Sequence, residues 1–255
     1  MNTVFPELTG ELIHGDMPGD KIEINDTHMQ KAKVIFPVLV KKLEAALAQN
    51  PCHRAVICVC GGSGVGKSET ASLLGQALQN TGVGSYILSG DNYPHRIPAQ
   101  NDAERIRVFR CGGISGLVVS GLYTEETKQV LRTLQEQDLD SDKKQCATYP
   151  WLSVYQNEGK KALSGYLGTE HEQNFAQLTS IIQQFKTGAN AIYLKRMGRT
   201  ELDLWYDLVD MTNKQVLIIE WTHGNSDRFS GVDIPILLNS TPQETLAHRR
   251  SRNRD

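Results

Sequence analysis

The chain has 255 residues, and its 39% hydrophobic and 22% charged residues are typical of a globular protein with enough apolar material for a core. Its 27 basic and 29 acidic residues give a formal charge of −2, so the overall charge gives no reason to expect a nucleic-acid partner. No apolar run approaches the roughly 20 residues of a membrane helix, and the polar N-terminus lacks the charged-then-apolar order of a signal peptide. We therefore expect a cytoplasmic protein that does not bind membranes.

Five cysteines are present, at positions 52, 58, 60, 111 and 146. Cys58 and Cys60 alternate within an apolar run, which is a strand pattern and not the ligand spacing of a zinc knuckle. We interpret them as core thiols in a reducing compartment.

Residues 1–50 are interpreted as an N-terminal extension that contains a helix. Asn25, Asp26 and Thr27 are good N-cap residues, and apolar residues then recur on one helical face. These residues are Ile35, Val38, Leu39, Leu43, Ala46 and Leu47. We expect this helix to pack outside the core, and it has no evident chemistry.

The rest of the chain alternates short apolar strands with helices. Strands are predicted at Ala55–Cys60, Ser85–Ser89, Ala191–Leu194, Val216–Ile219 and Asp233–Leu238. Helices are predicted at 67–79, after Thr124, at 172–186 and from Thr241. Residues 96–166 otherwise look irregular, and 112–168 are interpreted as a substrate-specific insertion. The alternation predicts one α/β domain, 1–255, with a mainly parallel sheet and helices on both faces.

The segment Gly61–Ser68, which we call the glycine-rich loop, matches the phosphate-binding pattern G-x-x-x-x-G-K-[ST] between a predicted strand and a predicted helix. Glycines allow backbone N–H groups to surround phosphate oxygens at the positive end of the following helix. Lys67 is predicted to reach the β- and γ-phosphates of ATP, and Ser68 to bind Mg²⁺. The predicted nucleotide-binding residues are Gly62, Ser63, Gly64, Val65, Gly66, Lys67, Ser68 and Glu69.

Two carboxylates directly follow predicted strands. Asp91 comes after Ser85–Ser89 and Glu220 comes after Val216–Ile219, and ligands of parallel α/β sheets gather at the carboxyl ends of strands. Glu220 is therefore the best-placed carboxylate to complete a Mg²⁺ site with Ser68. The alternatives are an Asx turn for Asp91 and an ion pair with an arginine for Glu220.

Four motifs in this order resemble those of the phosphoribulokinase and uridine kinase family of P-loop kinases. They are the glycine-rich loop continued to Ala71, the acidic segment Ser89–Tyr93, the segment Ile218–Gly224, and Asp233–Leu238 followed by the arginine-rich Arg250–Asp255. Trp221 departs from the pattern, because the family often has glycine there. The resemblance implies a three-layer P-loop NTPase fold, ATP and Mg²⁺ as cofactors, and a lid helix at 241–255.

The resemblance also implies the catalytic roles. Asp91 would deprotonate the acceptor hydroxyl, and Glu220 would contact Mg²⁺ through water or assist the acceptor. Of the arginines near the C-terminus, Arg250 and Arg254 share one helical face because four residues separate them. Together with Lys67 they would neutralise charge on the transferring phosphate, unless the arginines form only a solvated charged face.

Candidate acceptor-binding residues follow the second and third predicted strands and the strand that ends at Glu220. They are Asp91, Tyr93, His95, Arg96, Lys195, Arg196, Arg199 and His223. So many cations favour an acceptor with a carboxylate or phosphate, although surface solubility is the alternative explanation. We therefore predict a kinase that phosphorylates a hydroxyl of a small metabolite, such as an anionic sugar, sugar acid or sugar phosphate.

Other functions remain open at this point. A nucleoside or adenylylsulfate kinase would use the same loop, and Tyr149, Trp151 and Tyr155 could stack on a nucleoside. A regulatory nucleotide-binding ATPase is the alternative outside the kinases. A GTP-dependent switch is disfavoured, because Asn213 and Lys214 are followed by Gln-Val and not by the rest of a guanine-reading Asn-Lys-x-Asp motif. The sequence leaves a homodimer open.

Overall fold

The structure is a computed structural model that describes residues 2–241, 243 and 245. Its strands are β1 (Ala55–Gly61), β2 (Ser85–Ser89), β3 (Ala191–Met197), β4 (Leu204–Asp210), β5 (Val216–Trp221) and β6 (Ile234–Leu238). Its α-helices are α1 (Asp26–Gln49), α2 (Lys67–Asn80), α3 (Pro98–Val119), α4 (Glu125–Glu136), α5 (Leu152–Ser164) and α6 (Phe175–Lys186). Two compact units are present: the first holds residues up to Tyr93 and from Asn174 onward, and the second is Pro94–Gln173. Apart from positions 241, 243 and 245, the predicted lid at 241–255, with Arg250 and Arg254, lies outside the described residues.

Four parallel strands form the main sheet of the first unit, in the order β2–β5–β1–β6. β1 is apolar and buried along its whole length, which is the pattern of a parallel strand covered on both faces. The register pairs Glu220 on β5 with Val59 on β1 and with Ser89 on β2. Glu220 and the end of β2 therefore meet at the carboxyl edge of the sheet, close to where the glycine-rich loop begins.

Helices cover both faces of this sheet. Strand residues such as Ile57 and Ile218 pack with residues of α1 and α2 in one apolar cluster. Their neighbours along the strands, such as Cys58 and Ile219, pack with residues of α6 in another. Cys58 and Cys60 are buried free thiols, as their spacing predicted. The predicted three-layer α/β fold with a mainly parallel sheet is confirmed.

Helix α1 contributes to the core of the first unit, and the expectation that it packs outside the core was wrong. Ala32, Phe36, Leu39 and Leu43 are almost completely buried and belong to the apolar cluster shared with the sheet. Their spacings of three and four residues place them on one helical face. Val38, which we had assigned to that face, is 57% exposed. The buried face is therefore offset from the predicted one.

Strand β3 does not join the parallel sheet, contrary to the prediction for 191–194. It pairs antiparallel with β4 in a separate two-stranded sheet, from Ala191 opposite Asp210 to Met197 opposite Leu204. Strand β4 was not predicted, because six of its seven residues are exposed and it lacks the regular apolar alternation of a half-buried strand. The first unit thus carries an antiparallel hairpin beside its main sheet.

The second unit is helical, whereas we predicted mostly irregular structure between 96 and 166. Helix α4 after Thr124 is confirmed, with Leu131 and Leu134 buried. Helices α3 and α5 were missed because their contact is built on glycines, which are poor helix formers and read as loop. A Cβ on Gly159 of α5 would lie 2.8 Å from the ring of Phe109 on α3, so these glycines permit the close packing. None of the described helices, in either unit, has the length and apolar composition needed to span a bilayer.

Candidate active site

The glycine-rich loop connects β1 to α2 and turns through the left-handed region at two glycines. Gly64 has φ 76° and Gly66 has φ 86°, values that strongly favour a residue without a Cβ. A Cβ on Gly66 would also lie 2.7 Å from the ring of His28. The loop therefore reaches the start of α2 by a turn that only glycine allows, and it ends at the positive pole of that helix.

Two lysines donate hydrogen bonds to carbonyl groups of this loop. Lys67 Nζ lies 3.0 Å from the Gly62 oxygen, and Lys31 Nζ of α1 lies 3.0 Å from the Val65 oxygen. Both charges add to the positive potential at the start of α2, and this arrangement favours an anion such as phosphate. His28 and Lys31 were absent from the predicted site, because no motif marks this face of α1.

Glu220 connects the glycine-rich loop to the end of β2. Its Oε2 accepts a hydrogen bond from the Ser68 hydroxyl at 3.2 Å, and its Oε1 accepts one from the Ser89 hydroxyl at 2.6 Å. Burial raises the pKa of Glu220 to about 8; the charge of Asp91 also raises it, whereas the Ser89 hydrogen bond and the charge of Lys67 oppose the rise. A buried carboxylate with two hydroxyl donors is well placed to exchange one of them for a divalent cation.

The raised pKa of Glu220 predicts a pH-dependent stability. The folded chain keeps a proton on Glu220 up to about pH 8, whereas the usual carboxyl pKa is 4.5. Between these two values the unfolded state releases the proton first, so this group's contribution to the free energy of unfolding falls as the pH rises. Glu220→Gln cannot ionise. The melting temperature of this variant minus that of the parent should therefore increase from about pH 5 to about pH 8.

Thermal unfolding without nucleotide or Mg²⁺ measures this difference. Asp227→Asn, at an exposed acidic position, is the control for the loss of one carboxylate. A Glu220→Gln difference that is independent of pH over this range would contradict a raised pKa at Glu220.

Asp91 lies in the short 3₁₀ turn Gly90–Asn92 that directly follows β2. The residue is exposed, and its negative charge is close enough to Glu220 to raise the pKa of that carboxyl. One exposed and one buried carboxylate thus lie at the same edge of the sheet. The exposed one is available to a ligand, whereas the buried one contacts the loop hydroxyl of Ser68.

Trp221, at the position where the resembling family often has glycine, fills the space behind this turn. Its side chain is fully buried, and its ring centroid lies 5.1 Å from that of Phe175 and 5.6 Å from that of Phe229. A Cβ at Gly90 would overlap the indole. The departure at Trp221 is therefore accommodated by glycine at position 90 of the facing turn.

This contact predicts that Gly90→Ala is destabilising. The added methyl group has no free volume, so the indole or the turn must move, at a cost of about 1–3 kcal/mol. Urea unfolding of the variant measures the loss. Gly15→Ala is the control, because a Cβ there would make an ordinary contact 3.7 Å from Ile87. Equal stability of the two variants would contradict the close packing of Trp221 on Gly90.

Three of the predicted acceptor-binding residues are buried in the first unit. Tyr93 has no exposed surface, and its hydroxyl accepts a hydrogen bond from the Lys195 backbone N–H at 3.3 Å. Lys195 is 6% exposed, and burial lowers its side-chain pKa to about 8. Arg196 forms ion pairs with Asp16 at 2.8 Å and with Asp207 at 3.1 Å. These side chains have little or no surface to offer an acceptor.

The remaining predicted acceptor residues are divided between the two units. Arg199 is exposed after β3, and the half-buried His223 ring lies edge-on to Trp221 with centroids 5.5 Å apart. His95 and Arg96 belong to the second unit, where His95 Nε2 lies 3.0 Å from the Glu170 carbonyl and Arg96 donates to the Tyr166 hydroxyl at 3.2 Å. A role in acceptor binding remains a prediction for all four.

A cavity of about 360 Å³ opens beside the glycine-rich loop. The lining includes Gly64 and Val65 of the loop, His28 and Lys31 near the start of α1, and residues 239–240 after β6. The cavity combines polar and apolar surface next to the backbone that would hold phosphates. The cavity was not predictable from the sequence, because its walls come from segments far apart in the chain.

Similar proteins are found by sequence. A bifunctional alpha-galactosidase/sucrose kinase of Mediterraneibacter gnavus is 35% identical over 217 residues, which are 85% of this chain and 18% of that protein. An adenylyl-sulfate kinase of Shigella boydii serotype 18 is 38% identical over 88 residues, which are 32% of this chain and 42% of that enzyme. The chain resembles P-loop kinases of small molecules. This agrees with the kinase family predicted from the motifs.

The similarity to these kinases covers only part of each relative's length. The chain spans less than a fifth of the length of the sucrose kinase relative and less than half of the adenylyl-sulfate kinase. A solved structure described as a putative fructose transport system kinase from Silicibacter sp. TM1040 has a TM-score of 0.49 and 15% identity, and covers 84% of this chain and 79% of its own. No family model matches the chain.

Proposed function

We propose that this chain is an ATP-dependent kinase that transfers the γ-phosphate to a hydroxyl group of a small molecule, and that the acceptor is a sugar. The observation that carries the proposal is the contact of buried Glu220 with the Ser68 hydroxyl at the end of the glycine-rich loop, 3.2 Å away. This contact joins a phosphate-binding backbone to a carboxylate at the edge where Asp91 is exposed.

The residues around the loop fit a nucleotide with Mg²⁺. Mg²⁺ usually takes one or two protein oxygens and completes its coordination with water and substrate phosphates. Ser68 and Glu220 offer one hydroxyl and one carboxylate, and no cluster of three or more metal-binding side chains occurs in the described part of the chain. Bound Mg²⁺ would neutralise phosphate charge, with Lys67 on the β- and γ-phosphates. The cavity beside Gly64 and Val65 has room for the nucleoside half of ATP.

Asp91 is the proposed general base. An exposed carboxylate at the end of β2 can accept a proton from an acceptor hydroxyl, whereas Glu220 is 5% exposed and already accepts two hydrogen bonds. This division of roles gives each carboxylate one task, proton transfer for Asp91 and Mg²⁺ binding for Glu220.

We prefer a neutral sugar to an anion as the acceptor. Cations after β2 and β3 favour an anionic acceptor, but two of them, Lys195 and Arg196, are buried, and Arg196 is paired with two carboxylates. The relative named as a sucrose kinase matches most of this chain, whereas the adenylyl-sulfate kinase matches about a third. We therefore place a neutral sugar, of the disaccharide type, ahead of sugar phosphates, nucleosides and adenylylsulfate.

An acceptor screen tests this proposal. ADP release from Mg²⁺-ATP would be measured with sucrose, other disaccharides, monosaccharides, sugar phosphates, nucleosides and adenylylsulfate, each against a control without acceptor. We expect release that depends on a neutral sugar. Release that depends only on adenylylsulfate or a nucleoside would contradict the sugar assignment, and release that no acceptor changes would favour an ATPase.

A further inference from the structure

Asp16 is a buried carboxylate in the N-terminal segment before α1, and its side chain is 6% exposed. Its Oδ1 accepts hydrogen bonds from the Ser89 backbone N–H at 2.7 Å and from the Asn92 side-chain amide at 3.1 Å. Its Oδ2 accepts from the Tyr86 hydroxyl at 3.0 Å and from Arg196 Nη1 at 2.8 Å. Each oxygen of the Asp16 carboxylate thus accepts two hydrogen bonds from groups of the chain itself.

Two of these donors lie on either side of Asp91. Ser89 ends β2, and Asn92 ends the 3₁₀ turn that contains Asp91. A single oxygen of Asp16 thus holds both ends of the segment that carries the proposed base. Asn92 is also fixed from the other side, because its Oδ1 accepts from the Met197 backbone N–H of β3 at 3.0 Å.

Ser89 extends the connection toward the proposed metal site. Its backbone N–H donates to Asp16 while its hydroxyl donates to Glu220 at 2.6 Å. Glu220 in turn accepts from Ser68 of the glycine-rich loop. A shift of Ser89 would therefore disturb Glu220 as well as Asp91.

We propose that Asp16 is a positioning residue, which fixes the Ser89–Asn92 segment and thereby holds the Asp91 carboxylate in place for proton transfer. The inference rests on the proposed function. The Asp16 side chain is only 6% exposed, so we assign it no direct contact with acceptor or nucleotide. The N-terminal segment of the chain is then part of the catalytic architecture and not only a covering of the sheet.

Because of these four contacts, we expect different effects from two substitutions of Asp16. Asp16→Asn can keep the Oδ1 contacts to Ser89 and Asn92 but loses the negative charge that Arg196 needs, although Asp207 still pairs with Arg196 at 3.1 Å. Asp16→Ala removes every contact and frees the segment. Positioning therefore predicts a graded loss, with alanine worse than asparagine, because a misplaced base costs rate even when substrates still bind.

Steady-state kinetics on the full chain test this. We expect Asp16→Ala to lower kcat roughly 10- to 100-fold and to raise the KM for ATP by a smaller factor, because Asp16 is connected to the glycine-rich loop only indirectly, through Ser89 and Glu220. Asp16→Asn should lie between this variant and the parent. Glu11→Gln, an exposed carboxylate in the same segment, is the control and should keep the parental kcat. A folded Asp16→Ala variant with parental kcat, or with a raised KM for ATP and an unchanged kcat, would overturn the proposal.

Amide hydrogen exchange supplies a measurement that needs neither turnover nor an identified acceptor. Exchange at Ser89–Asn92 should be faster in Asp16→Ala than in the parent, with a smaller increase in Asp16→Asn because an amide oxygen accepts more weakly than a carboxylate, and exchange in α2 should be unchanged. Unchanged exchange at Ser89–Asn92 would contradict the positioning role. If Asp16→Ala does not fold, both the kinetics and the hydrogen exchange are measured on Asp16→Asn. A parent protein that transfers no phosphate would overturn the proposed function, and hydrogen exchange would still decide whether Asp16 holds this segment.

Discussion

Replacement of Lys67 by alanine is expected to abolish phosphoryl transfer while leaving the fold intact. The ammonium group donates to the Gly62 carbonyl at 3.0 Å and belongs to the loop, not to either apolar cluster of the sheet. Its removal deletes the cation proposed to stabilise the β- and γ-phosphates, and charge stabilisation supplies most of the catalysis in phosphoryl transfer. We expect turnover at background level and a melting temperature close to that of the parent.

The control for this substitution is Lys33→Ala, at an exposed position of α1. It removes the same charge without touching the loop and should retain full activity. Parental turnover in Lys67→Ala would exclude the glycine-rich loop as the phosphate site, even if ATP still bound elsewhere.

Asp91→Asn is expected to lower kcat by roughly 10²–10⁴, the usual contribution of a general base. Asparagine keeps the size of the side chain and forms turns readily, so the Gly90–Asn92 turn should persist. ATP affinity should also persist, because the phosphate-binding loop is a separate segment. Measurement of kcat and of ATP binding by calorimetry distinguishes a lost base from a lost fold.

The matched control is Asp227→Asn, another exposed aspartate, for which we expect unchanged kcat. If Asp91→Asn transfers phosphate at the parental rate, the carboxylate is only structural, and Glu220 becomes the candidate base. Weakened ATP binding with an unchanged kcat would equally contradict the assigned role.

Elements with one strong local signal were predictable from the sequence. The β2 bounds, Ser85–Ser89, match the prediction, and β1 and α2 differ from it by a single residue. Their signals are an apolar run, a glycine turn and a helical period, all of which act over a few residues. The fold class followed from the same alternation, because fully apolar strands that alternate with helices are typical of a parallel sheet covered on both faces.

Elements that depend on distant partners were not predictable. Helix α3 owes its place to glycines that allow α5 to approach, and the fit of Gly113 against Tyr155 is visible only once the two helices are side by side. Strand β4 is held by pairing with β3 and buries little of its own surface. In both cases tertiary contact overrides weak or contrary local preference.

In the candidate site, too, residues of local motifs were predictable, whereas residues that depend on distant partners were not. Lys67 and Ser68 belong to a contiguous motif, and Glu220 follows an apolar strand, so their meeting at the sheet edge was foreseeable. Asp16 was not, because it meets Ser89 across 73 positions of the chain, and nothing in its polar surroundings marks it. The burial of Tyr93 and Arg196 was not predictable either, because it depends on distant partners. Arg196, for example, pairs with carboxylates from two other segments.

The most direct test of the proposed sugar kinase activity is to follow the γ-phosphate of ATP. The full chain would be incubated with γ-labelled ATP, Mg²⁺ and sucrose, and the products separated into inorganic phosphate and phosphorylated sugar. We predict label in a stable sugar phosphate ester, formed in equal amount to ADP and missing from the Lys67→Ala reaction. Label recovered only as inorganic phosphate, with every sugar in the acceptor panel, would contradict a sugar kinase.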